Sequence, residues 1–240
     1  MNLIKSVCLA VALSATTAFV AVAQDFNKGS EAFEAKDFAT ALQEWRPLAE
    51  QGVADAQFSL GLLYRFGLGV PRDYTEAVNW YRKAADQGTA LAQYNLGLMY
   101  DLGEGIPQDY TEALNWYRKA AYQGHTSAQF RLGSMYYHGL GVPRDYTEAV
   151  NWFRKAADQG VADAQFRLGL MYYVGKGVPQ DYAVAHMWYN LANANGQEMA
   201  AAPRDNLAIM MTPEDISRAQ SMASQCLNSN YKNCGQQVSN

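Results

Sequence analysis

Apolar and polar positions alternate along most of this chain in two helical rhythms that follow one another. In ADAQFSLGLLYRF, residues 54–66, Ala56, Leu60 and Tyr64 recur at four-residue steps. That spacing puts them on one face of a helix and predicts a helix over Ala54–Phe66. The loop GLGVPRD follows, with Gly and Pro as breakers. A second helix is predicted to start at Asp73. Its stripe is Ala77, Trp80, Tyr81, Ala84 and Ala85. Asp73 and Glu76, three residues apart, have capping-box spacing. Arg82 and Lys83 lie in the C-terminal half, where positive charge suits the helix dipole. Gly88 provides a left-handed stop.

This pair of helices recurs with a period of 36 residues. Gly61, Gly97, Gly133 and Gly169 keep step, as do Pro71, Pro107, Pro143 and Pro179. Trp80, Trp116, Trp152 and Trp188 form another column, and Gln57, Gln93, Gln129 and Gln165 a further one. Tyr64, Tyr100, Tyr136 and Tyr172 complete the set. One helix pair cannot bury its own apolar stripe, but stacked pairs can. The expected fold is therefore all-α, a solenoid of stacked antiparallel helix pairs with helical caps at both ends. A glycine inside the first helix costs about 1 kcal/mol relative to alanine, so its recurrence points to close approach of a neighbouring helix.

The ends are degenerate. Asp37–Gly52 aligns with Asp73–Gly88, with Phe38 in place of Tyr74 and Trp45 in place of Tyr81. Residues 24–53 thus read as a capping pair, 54–197 as four repeats and 198–240 as a C-terminal cap. One cap helix is expected within Gln197–Met211. Another is expected from Thr212 as N-cap and Pro213 at the first position toward Leu227.

The unit A-x-Q-x-x-L-G-x-x-Y, then G-x-G-V-P-x-D-Y, then A-x-x-W-x-x-x-A-A-x-x-G closely resembles the Sel-one-like repeat of the tetratricopeptide superfamily. The likeness covers Ala54 to Gly196 as four copies. It implies a right-handed superhelix whose first helices line the concave side, and an adaptor role in protein complexes. The cysteine-rich branch of the family carries a disulfide in every repeat and is linked to β-lactam binding. These repeats contain no cysteine and depart from that pattern.

Beyond the repeats, residues 1–23 hold one basic residue, Lys5, an apolar run from Val7 to Val22 and the small-x-small ending Ala21-Val22-Ala23. That order is expected of a signal peptide cleaved after Ala23, giving a periplasmic or secreted chain with no membrane span. An uncleaved anchor is the alternative, against which stand Ser14, Thr16 and Thr17 within the run. The chain after Ala23 loses one of 19 basic residues and keeps all 23 acidic ones, for a net charge of −5. With no basic cluster, nucleic acid is excluded as an expected partner. Cys226 and Cys234 remain, an even pair in an oxidising compartment, and predict a disulfide.

Candidate catalytic chemistry is sparse. His125, His138 and His186 have no metal-ligand spacing. Ser229-Asn230-Tyr231-Lys232 matches S-x-x-K without its companion motifs. Asp101 and Glu104 are one carboxylate pair in one loop, read as solvated. The tryptophans sit on the stripes and read as core. The expectation is a non-enzyme with no catalytic residue, cofactor or metal.

The columns that differ between copies carry the binding expectation. One reads Ser59, Asn95, Arg131, Arg167; another Phe66, Leu102, His138, Val174; a third Arg65, Asp101, Tyr137, Tyr173. With Leu62 and Leu98, they predict a concave face running from apolar (Leu62, Phe66, Leu98, Leu102) to basic and aromatic (Arg131, Tyr137, His138, Arg167, Tyr173). Arg and Tyr are frequent interface anchors. The expected partner is a protein or a carboxylate-bearing peptide. Ordinary surface variation is the competing reading of these columns. A cell-wall or polysaccharide binder, using Tyr137 and Tyr173, is the alternative function, and a β-lactamase-like hydrolase the third.

Overall fold

A computed structural model of the chain describes residues 26–231 and Cys234. The expected signal peptide lies outside the described residues. Every regular element among the described residues is helical. The chain forms two compact units, one ending at Gln108 and the other beginning at Asp109.

The first unit contains α1 (26–34), α2 (Phe38–Glu50), α3 (Ala54–Phe66), α4 (Tyr74–Asp86) and α5 (Ala90–Leu102). Short connections fold each helix back on its predecessor, and α2 packs on α3, α3 on α4 and α4 on α5. Asp73 caps α4 by accepting hydrogen bonds from the Thr75 and Glu76 backbone N–H groups. The expected reciprocal half of the capping box is absent for a local reason. The Asp73 N–H donates instead to the Tyr64 carbonyl at 2.9 Å, tying the loop back to α3. The stripe Ala77, Trp80, Tyr81, Ala84 and Ala85 is buried. Gly61 shows why its column excludes a side chain, since a Cβ there would lie 2.5 Å from the Tyr81 ring. In the cap, Trp45 is buried and its indole N–H donates to the Phe26 carbonyl at 3.1 Å. Pro47 lies inside α2. The helix continues past it because Leu48 and Ala49 on the same face are buried, so packing overrides propensity.

The second unit contains α6 (Tyr110–Tyr122), α7 (Thr126–His138), α8 (Tyr146–Ala157), α9 (Ala162–Val174) and α10 (Tyr182–Ala194). A 3-10 turn (Glu198–Ala200), α11 (Ala201–Ile209) and α12 (Pro213–Asn228) follow. The same packing recurs from α6 to α10, after which α11 and α12 both pack on α10. Thr212 caps α12 by accepting from the Asp215 N–H, with Pro213 in the first turn. Cys226 and Cys234 are at disulfide distance, their Cα atoms 4.9 Å apart.

Two ladders hold successive helices in register. Each column glutamine is buried and donates to a carbonyl eight residues back, near the end of the preceding helix. The bonds are Gln57 to Ala49 (3.0 Å), Gln93 to Ala85 (3.1 Å), Gln129 to Ala121 (3.2 Å) and Gln165 to Ala157 (3.2 Å). Each column tyrosine accepts from an arginine 18 residues earlier: Arg46 to Tyr64, Arg82 to Tyr100, Arg118 to Tyr136 and Arg154 to Tyr172.

Candidate partner-binding surfaces

The repeated Gly, Gln and Trp columns are buried in packing, whereas several of the columns that vary reach solvent. In the first unit these are set on α3 and α5. Phe66 and Leu102, the last residues of those helices, are 58% and 51% exposed. The αL glycines that follow them, Gly67 and Gly103, end each helix there and leave both side chains in solvent. Leu62 and Leu98 are half-buried one turn earlier.

Ser59 and Asn95 lie beneath the surface, at 7% and 9% exposure. Only a side chain as long as arginine reaches out from this column. Asn95 is also fully engaged. Its Nδ2 donates to the Leu91 carbonyl at 2.8 Å, and its Oδ1 accepts from Arg65 at 3.0 Å. Arg65 completes an ion pair with Glu104 at 3.2 Å. Glu104 therefore serves inter-helix packing, not the solvated loop pair expected with Asp101. Arg65 also sets its charge near Tyr81, yet burial wins and pushes that phenol above its ordinary range.

In the second unit the corresponding face is on α7 and α9. Arg131 and Arg167 are half-buried and His138 is exposed. Tyr137 lies edge-on to Tyr146, with ring centroids 5.3 Å apart. Tyr173 is 37% exposed and stacks on Tyr182 at 5.8 Å. Behind it, Phe166, Leu170 and Tyr173 of α9, Tyr189 of α10 and Pro203, Leu207 and Met210 beyond them line a cavity of about 230 Å³. Nothing in the helical periodicity announces this cavity, because it depends on where α11 docks.

The histidines divide by setting. His125 is the N-cap of α7, its Nδ1 accepting from the Ala128 N–H at 3.2 Å, and burial holds its pKa below the ordinary value. His186 is buried in α10, its Nδ1 has no hydrogen-bond partner among the described residues, and burial again lowers its pKa, helped by the Arg204 charge. Among the described residues no three His, Cys, Asp or Glu side chains converge as a metal would require. No described helix is long and apolar enough to cross a membrane.

Helix pairs repeated every 36 residues, joined by Gly-Pro loops and locked by the same glutamine and tyrosine bonds, define an all-α helix-pair repeat protein. The chain belongs to the Sel1 repeat family, whose model matches residues 54–89, 90–125, 126–161 and 162–197. It is similar to a protective antigen of uropathogenic Escherichia coli that displays an SLR fold, at 37% identity and a TM-score of 0.78. That likeness covers 87% of this chain and 46% of the antigen, so the chain spans about half the antigen's length. It is also similar to a Sel1 repeat protein from Oxalobacter formigenes, at 34% identity and a TM-score of 0.69 over 86% of this chain and 77% of that one. No curated protein matches the chain. The Sel1 repeat fold is typically a scaffold for protein–protein interaction, and its members are generally non-enzymatic.

Proposed function

We propose that this chain is an exported, non-enzymatic scaffold that holds a protein partner in the cell envelope through the variable columns of its first helices. One observation carries the reading. The column Phe66, Leu102, His138, Val174 is exposed in every repeat, whereas the fixed Gly, Gln and Trp columns are buried. Three of its four members, Phe66, Leu102 and Val174, are apolar, and exposed apolar side chains gathered into a patch mark an interaction surface. Export is supported by the signal-like order of residues 1–23 and by the Cys226–Cys234 pair, which we assign as a disulfide. The domain scheme of capping pair, four repeats and C-terminal cap belongs to the same reading.

The polysaccharide alternative gains no support from the tryptophans. Trp80, Trp116 and Trp152 are buried, and the ammonium groups of Lys83, Lys119 and Lys155 lie 3.9, 3.6 and 4.1 Å from their ring centroids. Packing and the lysine ammonium groups thus cover most of these three rings.

The test is affinity capture from a periplasmic extract with the mature chain as bait, compared with Phe66→Ser/Leu102→Ser and Arg131→Ala/Arg167→Ala baits. Wild type should retain a defined protein that at least one double variant loses. Equal retention by all three baits refutes the surface. A mature N-terminus other than Gln24, read by mass spectrometry, refutes the cleavage.

A further inference from the structure

Corresponding slots between the first helices are filled differently in the two units. In the first unit Arg65 of α3 fills the slot, bonded to Asn95 of α5 and to Glu104. Two repeats later the same three positions are Tyr137, Arg167 and Lys176. The Lys176 ammonium lies 5.9 Å from the Tyr137 ring centroid and 5.1 Å from that of Tyr146. A neutral amide and a carboxylate have thus been replaced by two cations. Neither Arg167 nor Lys176 has a carboxylate partner among the described residues.

Three repeats after Arg65 the position is Tyr173, and Pro203 stands where Asn95 did. Tyr173 stacks on Tyr182, as Tyr137 packs on Tyr146 one repeat earlier. Tyr173 also lines the 230 Å³ cavity between α9, α10 and α11. That is below the roughly 300–1,000 Å³ of small-molecule sites and suits one large side chain. The Tyr189 hydroxyl has no hydrogen-bond partner among the described residues, and burial pushes its pKa up to about 12. It therefore stays a neutral donor beside the cavity.

We infer that the second unit binds an extended peptide segment carrying two anchors. An aromatic or aliphatic side chain fills the cavity, and a carboxylate engages Arg167 and Lys176 in the neighbouring slot. Charge complementarity sets the second anchor, because two cations without a counter-charge favour an anion. The cavity lies on the α11 side of α9 and the slot on its α7 side, so the two anchors are about one helix diameter apart, roughly 10 Å. An extended chain advances about 3.3 Å per residue. The two anchors are therefore about three residues apart, in a pattern Phe-x-x-Glu or its reverse. This inference rests on the scaffold reading above and narrows it to one segment type.

The test is fluorescence anisotropy of labelled Gly/Ser peptides carrying Phe-x-x-Glu or Glu-x-x-Phe, with Gln-for-Glu and Ala-for-Phe controls, against the mature chain. One orientation should bind, and each control should weaken it about tenfold. Arg167→Gln/Lys176→Gln should abolish the preference for Glu over Gln. Asn206→Trp, at an exposed position lining the cavity, should abolish the preference for Phe over Ala. Circular dichroism melts within a few degrees of wild type show that the variants fold. If no peptide binds, the inference falls, and the capture experiment judges the scaffold reading separately. If a peptide binds but neither variant weakens it, peptide binding stands and this slot does not. Binding only after deletion of residues 235–240 makes the chain's own tail the occupant and overturns the inference.

Discussion

Gln165→Met should destabilise the second unit by about 2–3 kcal/mol, although no charge, ring or backbone atom changes. Gln165 is fully buried. Its Nε2 donates to the Ala157 carbonyl at 3.2 Å, and its Oε1 accepts from Asn195 Nδ2 at 2.8 Å. Asn195 Oδ1 in turn accepts from the Tyr231 hydroxyl at 2.7 Å. Methionine keeps the length and bulk of glutamine, so no cavity cost is expected. Two hydrogen bonds are lost at about 1 kcal/mol each, and the half-buried Asn195 amide loses a partner for up to about 1 kcal/mol more. Gln165→Glu should cost more than methionine, because it places a carboxylate oxygen against the Ala157 carbonyl in a buried site. The assay is urea unfolding followed by far-ultraviolet circular dichroism, with exposed Gln225→Met as the control, expected within about 0.5 kcal/mol of wild type. If Gln165→Met also falls within that band, the glutamine ladder is not what holds the helices together.

Three further outcomes follow from local geometry. Gly141 has φ +66, and a Cβ there would lie 2.3 Å from the Tyr110 carbonyl oxygen. Gly141→Ala should therefore lower the melting temperature well below that of Gly196→Ala, whose φ of +93 is strained but whose surroundings are open; equal melting temperatures contradict the clash. His125 caps α7 only when Nδ1 is unprotonated, and burial holds its folded pKa below the ordinary imidazole value of 6.5. Its contribution of about 1 kcal/mol is present above pH 6.5 and is lost as pH falls through the folded pKa. Urea titrations at neutral and mildly acid pH should show this slope in wild type and not in His125→Asn; an unchanged slope removes the cap from the account. Reducing the Cys226–Cys234 pair should cost about 2–3 kcal/mol, read as a drop in melting temperature on adding a phosphine reductant. Two free thiols in the denatured, unreduced protein would defeat the disulfide.

The helices were legible because periodicity and caps are local. Ala54–Phe66 follows from the spacing of Ala56, Leu60 and Tyr64, and Pro213 marks the start of α12. Gly61 could be read as a close approach because a mid-helix glycine needs a reason, and the Tyr81 ring supplies it. The glutamine and tyrosine columns were visible as repeats, but their partners were not. A bond from Gln57 to a carbonyl eight residues back depends on how two helices cross. Burial of Ser59 and Asn95 was hidden for the same reason, since a helical wheel gives direction and not depth. The slots at Arg65, Tyr137 and Tyr173 became distinct only when side chains 30 and 39 residues apart were seen to share one space.

The bonding ladders also bear on how such chains change length. Each rung of the glutamine and tyrosine ladders spans 8 or 18 residues, so none reaches beyond the adjoining copy. Duplicating or excising a block of 36 residues leaves every such rung with a matching partner, whereas a block of 35 or 37 would break those at the junction. Growth by whole copies thus keeps both ladders intact, and only the slots shared by side chains 30 and 39 residues apart have to be refilled at the junction. A relative of about twice this length is what that arithmetic permits.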